Sequence, residues 1–206
     1  MPKLEEIKDS GEKFKNLDTG IDIAKQGLPI VSANAYLGCW GIKKALDQGA
    51  DIVICPRVTD AALVMGPAAW KYDWNHDDYD QLAGSLAAGH IIECGAQATG
   101  GNYSFFKEIP TFRNIGYPIA EIYEDGSFNI TKHDDTGGLV SKGTVTAQLL
   151  YEIASPQYLN PDVTGHFNTL EISEVDKNKV HVKNVKGSPP PEKLKACILS
   201  LIHISE

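Results

Sequence analysis

Residues Asp51 to Cys55 read Asp-Ile-Val-Ile-Cys, and three consecutive apolar residues held between Gly49 and Pro56 leave this stretch few places to go. The run is too short for a helix. As a strand it carries apolar side chains on both faces, the pattern of a strand in a parallel sheet covered by helices on both sides. Upstream, Leu28 to Asn34 is a β-prone run. Tyr36 to Gln48 then repeats apolar residues at Leu37, Trp40, Ile42, Ala45 and Leu46, and Gly49 suits a left-handed helix stop. Strand, helix and strand of these lengths predict a βαβ unit, and with it an α/β fold containing a partial parallel sheet.

The pattern changes downstream. Thr59 or Asp60 is placed to cap a helix over Ala61 to Lys71, and a longer helix is expected from Tyr79 to Cys94, with Leu82, Leu86, Ile91 and Ile92 on its apolar side. Gly84 and Gly89 lower its helix propensity but allow close packing. Gly95 to Ser104 is too rich in glycine for a helix and reads as a shaped loop. Pro118 to Tyr123 and Ser127 to Lys132 flank an Asp125-Gly126 pair, a strong hairpin signal. A helix from Lys142 to Ala154 follows, then alternating stretches at Phe167 to Val175 and Val180 to Val185 that predict two antiparallel strands. This second half is expected to be an α+β portion with antiparallel hairpins after the α/β start.

Composition narrows the function classes. The 206 residues are 42% hydrophobic and 22% charged, which is globular rather than disordered, and their formal charge of −8 repels phosphate backbones. With no local basic patch, nucleic acid is not an expected partner. No apolar run approaches the ~20 residues of a membrane-spanning helix and no signal peptide opens the chain, so a membrane is not an expected partner either. Cys39, Cys55, Cys94 and Cys197 show no CxxC spacing and read as free thiols of a reducing, cytoplasmic compartment. A small-molecule substrate is the expected partner, and a homo-oligomer stays open.

Three groups of residues can carry chemistry. Ligands of open α/β sheets sit at the carboxyl ends of strands, which singles out Asn34 after the first expected strand and Arg57 and Asp60 after the second. The Arg57 guanidinium either binds a carboxylate or phosphate through paired hydrogen bonds or contacts Asp60 and shapes the turn. His90 and Glu93 share a helix face at a spacing of i, i+3. They form either an acid–base pair whose carboxylate orients the imidazole or a satisfied helix-end histidine. His-x-x-Glu offers too few ligands for zinc and lacks the His-Glu-x-x-His pattern. The third group comprises the glycine pairs in Thr99-Gly100-Gly101-Asn102 and Thr136-Gly137-Gly138, which either present backbone amides to an anion or make plain turns. Plain turns are favoured for the second pair. Neither pair matches the loops that bind NAD or ATP phosphates, so no cofactor is assigned. Cys94 closes its expected helix rather than opening it, the wrong end for lowering a thiol pKa.

Taken in order, several stretches resemble the acyclic terpene utilisation (AtuA) family. They are Val31-Ser-Ala-Asn-Ala-Tyr-Leu-Gly38, Gly49-Ala-Asp-Ile-Val-Ile54 with Arg57-Val-Thr-Asp60, and Ala88-Gly-His-Ile-Ile-Glu-Cys-Gly-Ala-Gln-Ala-Thr-Gly-Gly101. Gly116-Tyr-Pro-Ile-Ala-Glu121, Asp125-Gly126, Thr136-Gly-Gly138 and Gln148-Leu-Leu-Tyr-Glu152 continue the series. The resemblance implies a cytoplasmic protein of branched isoprenoid breakdown that acts on a branched acyl-CoA or isoprenoid carboxylate by a lyase or hydratase step. CoA would enter as part of the substrate. The alternative is a non-catalytic subunit that binds acyl-CoA. His90 and Glu93 are then the expected catalytic pair, and Asn34, Arg57, Asp60, Gln97, Thr99, Gly100, Gly101 and Asn102 the expected substrate contacts. The resemblance also implies an N-terminal α/β portion ahead of residue 1. On that reading residues 1–27 connect to it, residues 28–198 are a partial AtuA-type domain and the fragment is inactive alone. Residues 199–206 are the translation of CTG TCT CTT ATA CAC ATC TCC GAG, a transposon end used in preparing sequencing libraries, and are expected to be foreign to the protein.

Overall fold

A computed structural model of the chain describes residues 2–25, 27 and 29–200, so Leu28 and residues 201–206 of the expected foreign tail lie outside the described residues. The described helices are α1 (Pro2–Asp9), α2 (Trp40–Asp47), α3 (Ala62–Lys71), α4 (Tyr79–Ile92) and α5 (Lys142–Leu149). The strands are β1 (Ile30–Ala35), β2 (Ile119–Ile122), β3 (Phe128–Thr131), β4 (Gln157–Leu159), β5 (Thr164–His166), β6 (Glu171–Asp176), β7 (Lys179–Lys183), β8 (Lys186–Ser188) and β9 (Ala196–Ser200). The chain divides into two units, residues 1–36 with 193–206, and residues 37–192.

The first unit is built on β1, which pairs antiparallel with β9 so that Ser32 faces Leu199 and Asn34 faces Cys197. Leu199 and Ser200, expected to open the foreign tail, are the last two residues of β9. α1 ends where the Ser10 hydroxyl donates to the Ile7 carbonyl at 2.7 Å and Gly11 turns with a φ of 97°. Lys193 pairs with Glu12 at 2.9 Å within this unit.

The second unit is organised around α4. From Leu82 to Ile91 every residue of this helix is buried, which explains a sequence apolar on all sides rather than striped. It packs against α3, α5 and strands of two antiparallel sheets, one ordered β2-β3-β7-β6 and the other β4-β5-β8. The two glycines expected to permit close packing sit at the closest approaches. A Cβ on Gly84 would lie 1.9 Å from the Gly126 carbonyl oxygen, and one on Gly89 would lie 2.7 Å from the Ala61 Cα. The β2–β3 hairpin forms around the Asp125-Gly126 pair, with Gly126 at a φ of 82° as the turn requires. The Trp74 indole donates to the Glu124 carbonyl at 3.0 Å and the Tyr72 hydroxyl to the Ile122 carbonyl at 2.7 Å, tying the end of α3 to that hairpin. β6 and β7 pair antiparallel as the alternating pattern predicts.

The expected partial parallel sheet and βαβ unit are absent among the described residues, where every sheet is antiparallel. The partner of β1 is β9, not residues 51–55. That stretch has no strand partner, and Ile52 and Ile54 are 83% and 92% exposed while Val53 and Cys55 pack against the core. What remains of the parallel arrangement is an isolated bridge between Leu37 and Val58, in which the Leu37 amide donates to the Arg57 carbonyl at 3.0 Å. The physical reason is that an apolar run states a preference for burial without supplying the neighbouring strands that realise it.

Helix ends show smaller corrections. α3 has no side-chain cap from Thr59 or Asp60; its first turn is closed by backbone bonds to their carbonyls, and the Thr59 hydroxyl oxygen is buried without a partner. α2 begins at Trp40 rather than Tyr36. Its start is held by the buried Asp162 carboxylate, which accepts the Cys39 amide at 2.8 Å. α5 opens with a capping box in which Ser141 and Thr144 satisfy each other's amides, and it stops at Leu149, short of the expected Ala154. Glu152 then adopts a left-handed backbone with a φ of 59°.

Candidate functional site

The end of α4 delivers His90 and Glu93 to one place. His90 is only 1% exposed, and its Nε2 lies 3.2 Å from the Leu149 carbonyl oxygen at the end of α5. A carbonyl can only accept, so this contact fixes the proton on Nε2. Nδ1 lies 3.4 Å from Glu93 Oε1 without the alignment of a hydrogen bond, and it is a buried polar atom with no other partner. With Nε2 protonated, a neutral imidazole turns a lone pair towards a carboxylate oxygen. The geometry thus sets a carboxylate oxygen against the imidazole nitrogen that the Leu149 carbonyl leaves unoccupied.

Around this pair the fold gathers side chains from four further segments. The Tyr158 ring, on β4, lies 5.5 Å from the His90 ring and 5.4 Å from the Phe167 ring. Burial, followed by the negative charges of Glu93, Asp60 and Glu152, pushes the Tyr158 phenol up to about 12, so it remains a hydrogen-bond donor at neutral pH. Burial and then Glu93, Glu152 and Asp60 also raise the Cys94 thiol, against a lowering contact from Gln148. Cys94 is thus kept as a thiol, in line with its place at the wrong end of a helix. The Tyr151 phenol is raised chiefly by its contact with Glu152, and Gln97 opposes this. Gln148 is wholly buried; its Oε1 accepts from Asn102 at 3.4 Å while its Nε2 has no hydrogen-bond partner, and Gln97 Oε1 is likewise unpartnered.

An apolar pocket of about 250 Å³ lies on the far side of Leu149 and Phe167 from the pair, lined by these two and by Leu150, Ile153, Ala154 and Pro156 among others. Leu149 supplies the carbonyl beside His90, and the Phe167 ring stands 6.0 Å from the imidazole, so the same two residues form the pocket wall and the histidine's surroundings.

The structure brings together His90 and Glu93, with Gln97 in contact with Tyr151 and Asn102 with Gln148, whereas Asp60 is exposed and acts on the Tyr158 phenol through its charge. Thr99 lies deeper, its hydroxyl donating to the Gly116 carbonyl at 2.6 Å. The amides of Gly100 and Asn102 donate to the Gln97 carbonyl at 3.2 and 3.3 Å, and that of Gly101 to Ala96 at 3.0 Å, so these donors are engaged within their own turn. The second glycine pair is a packed turn: Gly137 donates to Asn114 at 2.9 Å and Gly138 to Thr111 at 2.8 Å. Arg57 is exposed on the loop after residues 51–55, and Asn34 belongs to the first unit. Gln148, Tyr151, Glu152, Tyr158 and Phe167 were missed by sequence reasoning. The one signal for the first three was the stretch Gln148 to Glu152; Tyr158 and Phe167 carried none. Among the described residues no group of three or more His, Cys, Asp or Glu side chains is arranged to hold a metal ion, and no helix is long and apolar enough to cross a membrane.

In comparison with known proteins, a family model described as acyclic terpene utilisation family protein AtuA matches residues 1–201. No curated protein and no solved structure matches the chain.

Proposed function

The chain belongs to the acyclic terpene utilisation family, and from that premise we propose that it acts in breaking down a branched isoprenoid acyl chain, with the reacting end of the substrate at His90 and Glu93. The observation that carries this reading is the buried His90, 3.4 Å from Glu93, in contact with Leu149 and Phe167, two residues that line an apolar pocket. Branched hydrocarbon is the chemistry that such a pocket receives, at about 25 cal/mol for each Å² of apolar surface removed from water. A proton delivered or removed beside it is the requirement of a lyase or hydratase step on an acyl-CoA or isoprenoid carboxylate. Arg57, exposed on its loop, offers a guanidinium to a substrate phosphate or carboxylate. Gln97 and Asn102 orient the polar groups of the site, and the cytoplasm is the compartment this chemistry needs.

A second reading, a non-catalytic subunit that binds acyl-CoA, is favoured by the enclosure of His90, which is only 1% exposed. One experiment separates the two. The chain and its His90→Gln and Arg57→Ala variants are assayed for turnover of a panel of branched acyl-CoA thioesters, with binding followed by calorimetry. Catalysis by the pair predicts a loss of about a hundredfold or more in turnover for His90→Gln with binding retained. Binding of panel members with no turnover by any form would establish the second reading.

A further inference from the structure

A polar cleft lies at the start of α4 and shares no residue with the pocket lined by Leu149 and Phe167. It measures about 160 Å³ and is lined by Asp80, Asp125, Ser127, His181, Lys183 and Asn184 among others. Its walls come from the first turn of α4, the β2–β3 turn and the chain from the end of β7 into β8. A Cβ on Gly126 would lie 2.6 Å from the Gln81 Cα, and one on Gly187 would lie 2.0 Å from the Tyr79 carbonyl oxygen, so both segments rest directly on the helix. Asp80 ties them further, accepting the Gly187 amide at 2.9 Å and the Lys186 ammonium at 2.7 Å. The cleft is therefore pre-formed.

Behind His181 stands a fixed chain of hydrogen bonds. Its cross-strand neighbour on β3, Asn129, is only 5% exposed. The Asn129 amide nitrogen donates to Glu121 at 3.1 Å and to the Tyr123 hydroxyl, so its oxygen is the atom that meets His181 Nδ1 at 2.9 Å. An amide oxygen can only accept, which places a proton on Nδ1 and leaves Nε2 of the neutral ring as a lone pair with no partner among the described residues. Lys179 anchors the far end of the chain, 2.7 Å from Glu121. Two more groups in the cleft have unused capacity. One oxygen of Asp125 accepts the Ser127 hydroxyl at 2.6 Å and amide at 2.9 Å, and its second oxygen has no partner among the described residues. Those bonds, the hydroxyl's above all, hold the Asp125 carboxyl below its usual range, so it is an anion at neutral pH. Lys183 has one loose contact, 3.4 Å from Glu171.

We propose that this cleft is a second ligand site, built for a small zwitterion such as an α-amino acid. The ligand's ammonium meets the free Asp125 oxygen and the His181 lone pair, and its carboxylate meets Lys183, with Lys186 beside it. Charge decides the class. Asp80 and Lys186 largely cancel one another, so Asp125 remains as an acceptor pole and Lys183 as a donor pole. An anion alone leaves Asp125 facing a like charge, and a cation alone does the same to Lys183. Size limits the ligand further, since about 160 Å³ is the share of roughly five waters at ~30 Å³ each, the room that glycine or alanine fills. The site is independent of the His90 pocket.

The test is an NMR titration of the whole chain with glycine and with its two halves, methylammonium and acetate, following the ring nitrogen signals of His181. Glycine is expected to bind about fivefold or more tighter than either half, because each charged contact contributes severalfold. The Nε2 signal should move more than that of Nδ1, which stays on Asn129. Asp125→Asn keeps the oxygen that accepts from Ser127, so the turn is retained; it should weaken glycine about fivefold and leave acetate little changed. Lys183→Met should weaken glycine and acetate alike. Acetate binding as tightly as glycine would mean a simple anion site and overturn the inference. Glycine binding that leaves His181 and both variants unaffected would overturn it too, since the ligand would then sit elsewhere. So would no binding of glycine up to about 100 mM.

Discussion

Two short apolar stretches behave in opposite ways. Ile52 to Ile54 stands open to solvent with two of its three side chains almost fully exposed, while Phe128 to Ile130 is buried at every position. Both carry large apolar side chains at their two ends, and the buried stretch is the less apolar of the two, with Asn129 where the exposed one has Val53. The difference is in what lies next to them in the chain. Phe128 follows an Asp-Gly turn that folds β2 directly onto β3, β7 pairs along the other edge, and α4 packs on the sheet. Residues 51–55 follow a helix and precede a loop, and no described strand pairs with them. Apolar sequence expresses a demand for burial; a turn or another strand must meet it.

The sharpest way to break this comparison is to truncate both stretches. Phe128→Ala should cost about 3–5 kcal/mol in chemical denaturation, from lost transfer energy and the cavity left in a full core, whereas Ile54→Ala should change stability by no more than about 0.5 kcal/mol. Equal losses would mean that residues 51–55 are packed in solution after all. The hairpin can also be attacked at its contact with α4. Gly84→Ala places a methyl group against the Gly126 carbonyl, and a loss of about 1–3 kcal/mol is expected as the helix and turn are forced apart. Gly41→Ala, in α2 with open space around it, should instead stabilise by about 0.5–1 kcal/mol, and thermal unfolding of the two variants should move in opposite directions.

A smaller effect tests what anchors the far end of the exposed stretch. Leu37 bridges to Val58, and the Gly38–Cys39 turn beside it is clamped by Asp162, which is 4% exposed. Burial raises the Asp162 pKa against the Cys39 amide, so the folded state holds this proton more tightly than the unfolded chain does. The contribution to stability is present below the unfolded carboxylate value of about 4 and is lost as pH rises through the folded one. Asp162→Asn should therefore show a flatter stability profile from acid towards neutral pH than the unsubstituted chain. Asp80 works in the opposite sense: burial raises its pKa, but the Lys186 and Gly187 contacts outweigh this and lower it, so its stabilisation fades as pH falls. The smallest change in folding stability is expected from Ile52→Lys with Ile54→Lys. Its effect should be on association, reducing concentration-dependent aggregation in light scattering if the exposed apolar edge drives it.

The candidate site repeats the same lesson. His90 and Glu93 were legible because both lie on one turn of one helix, where sequence spacing translates directly into distance. Gln148 and Glu152 share one short stretch at the end of α5, but Tyr158 and Phe167, from the neighbourhoods of β4 and β5, have no local relation to them or to His90. The glycine-rich loop shows the limit in another form. Its composition announced a shaped turn, but whether the amides of Gly100 and Gly101 face a ligand or their own chain depended on where Gln97 and Ala96 placed their carbonyls.

What the sequence by itself determined are the features set by neighbours within a few residues: the helices around Ile42, Met65 and Leu86, the Gly49 stop, the Asp125-Gly126 hairpin and the His90–Glu93 spacing. It also carried, in an ordered series of short motifs, the likeness to the family whose model matches residues 1–201. Only the tertiary structure decided that β1 pairs with β9 across most of the chain, that Ile52 and Ile54 face solvent, and that the charges of Glu93, Asp60 and Glu152 all act on the Tyr158 phenol. The reason is that strand pairing and charge clustering join residues distant in the chain. Their energies depend on which surfaces the folded chain brings into contact, and periodicity within a single segment carries no record of that.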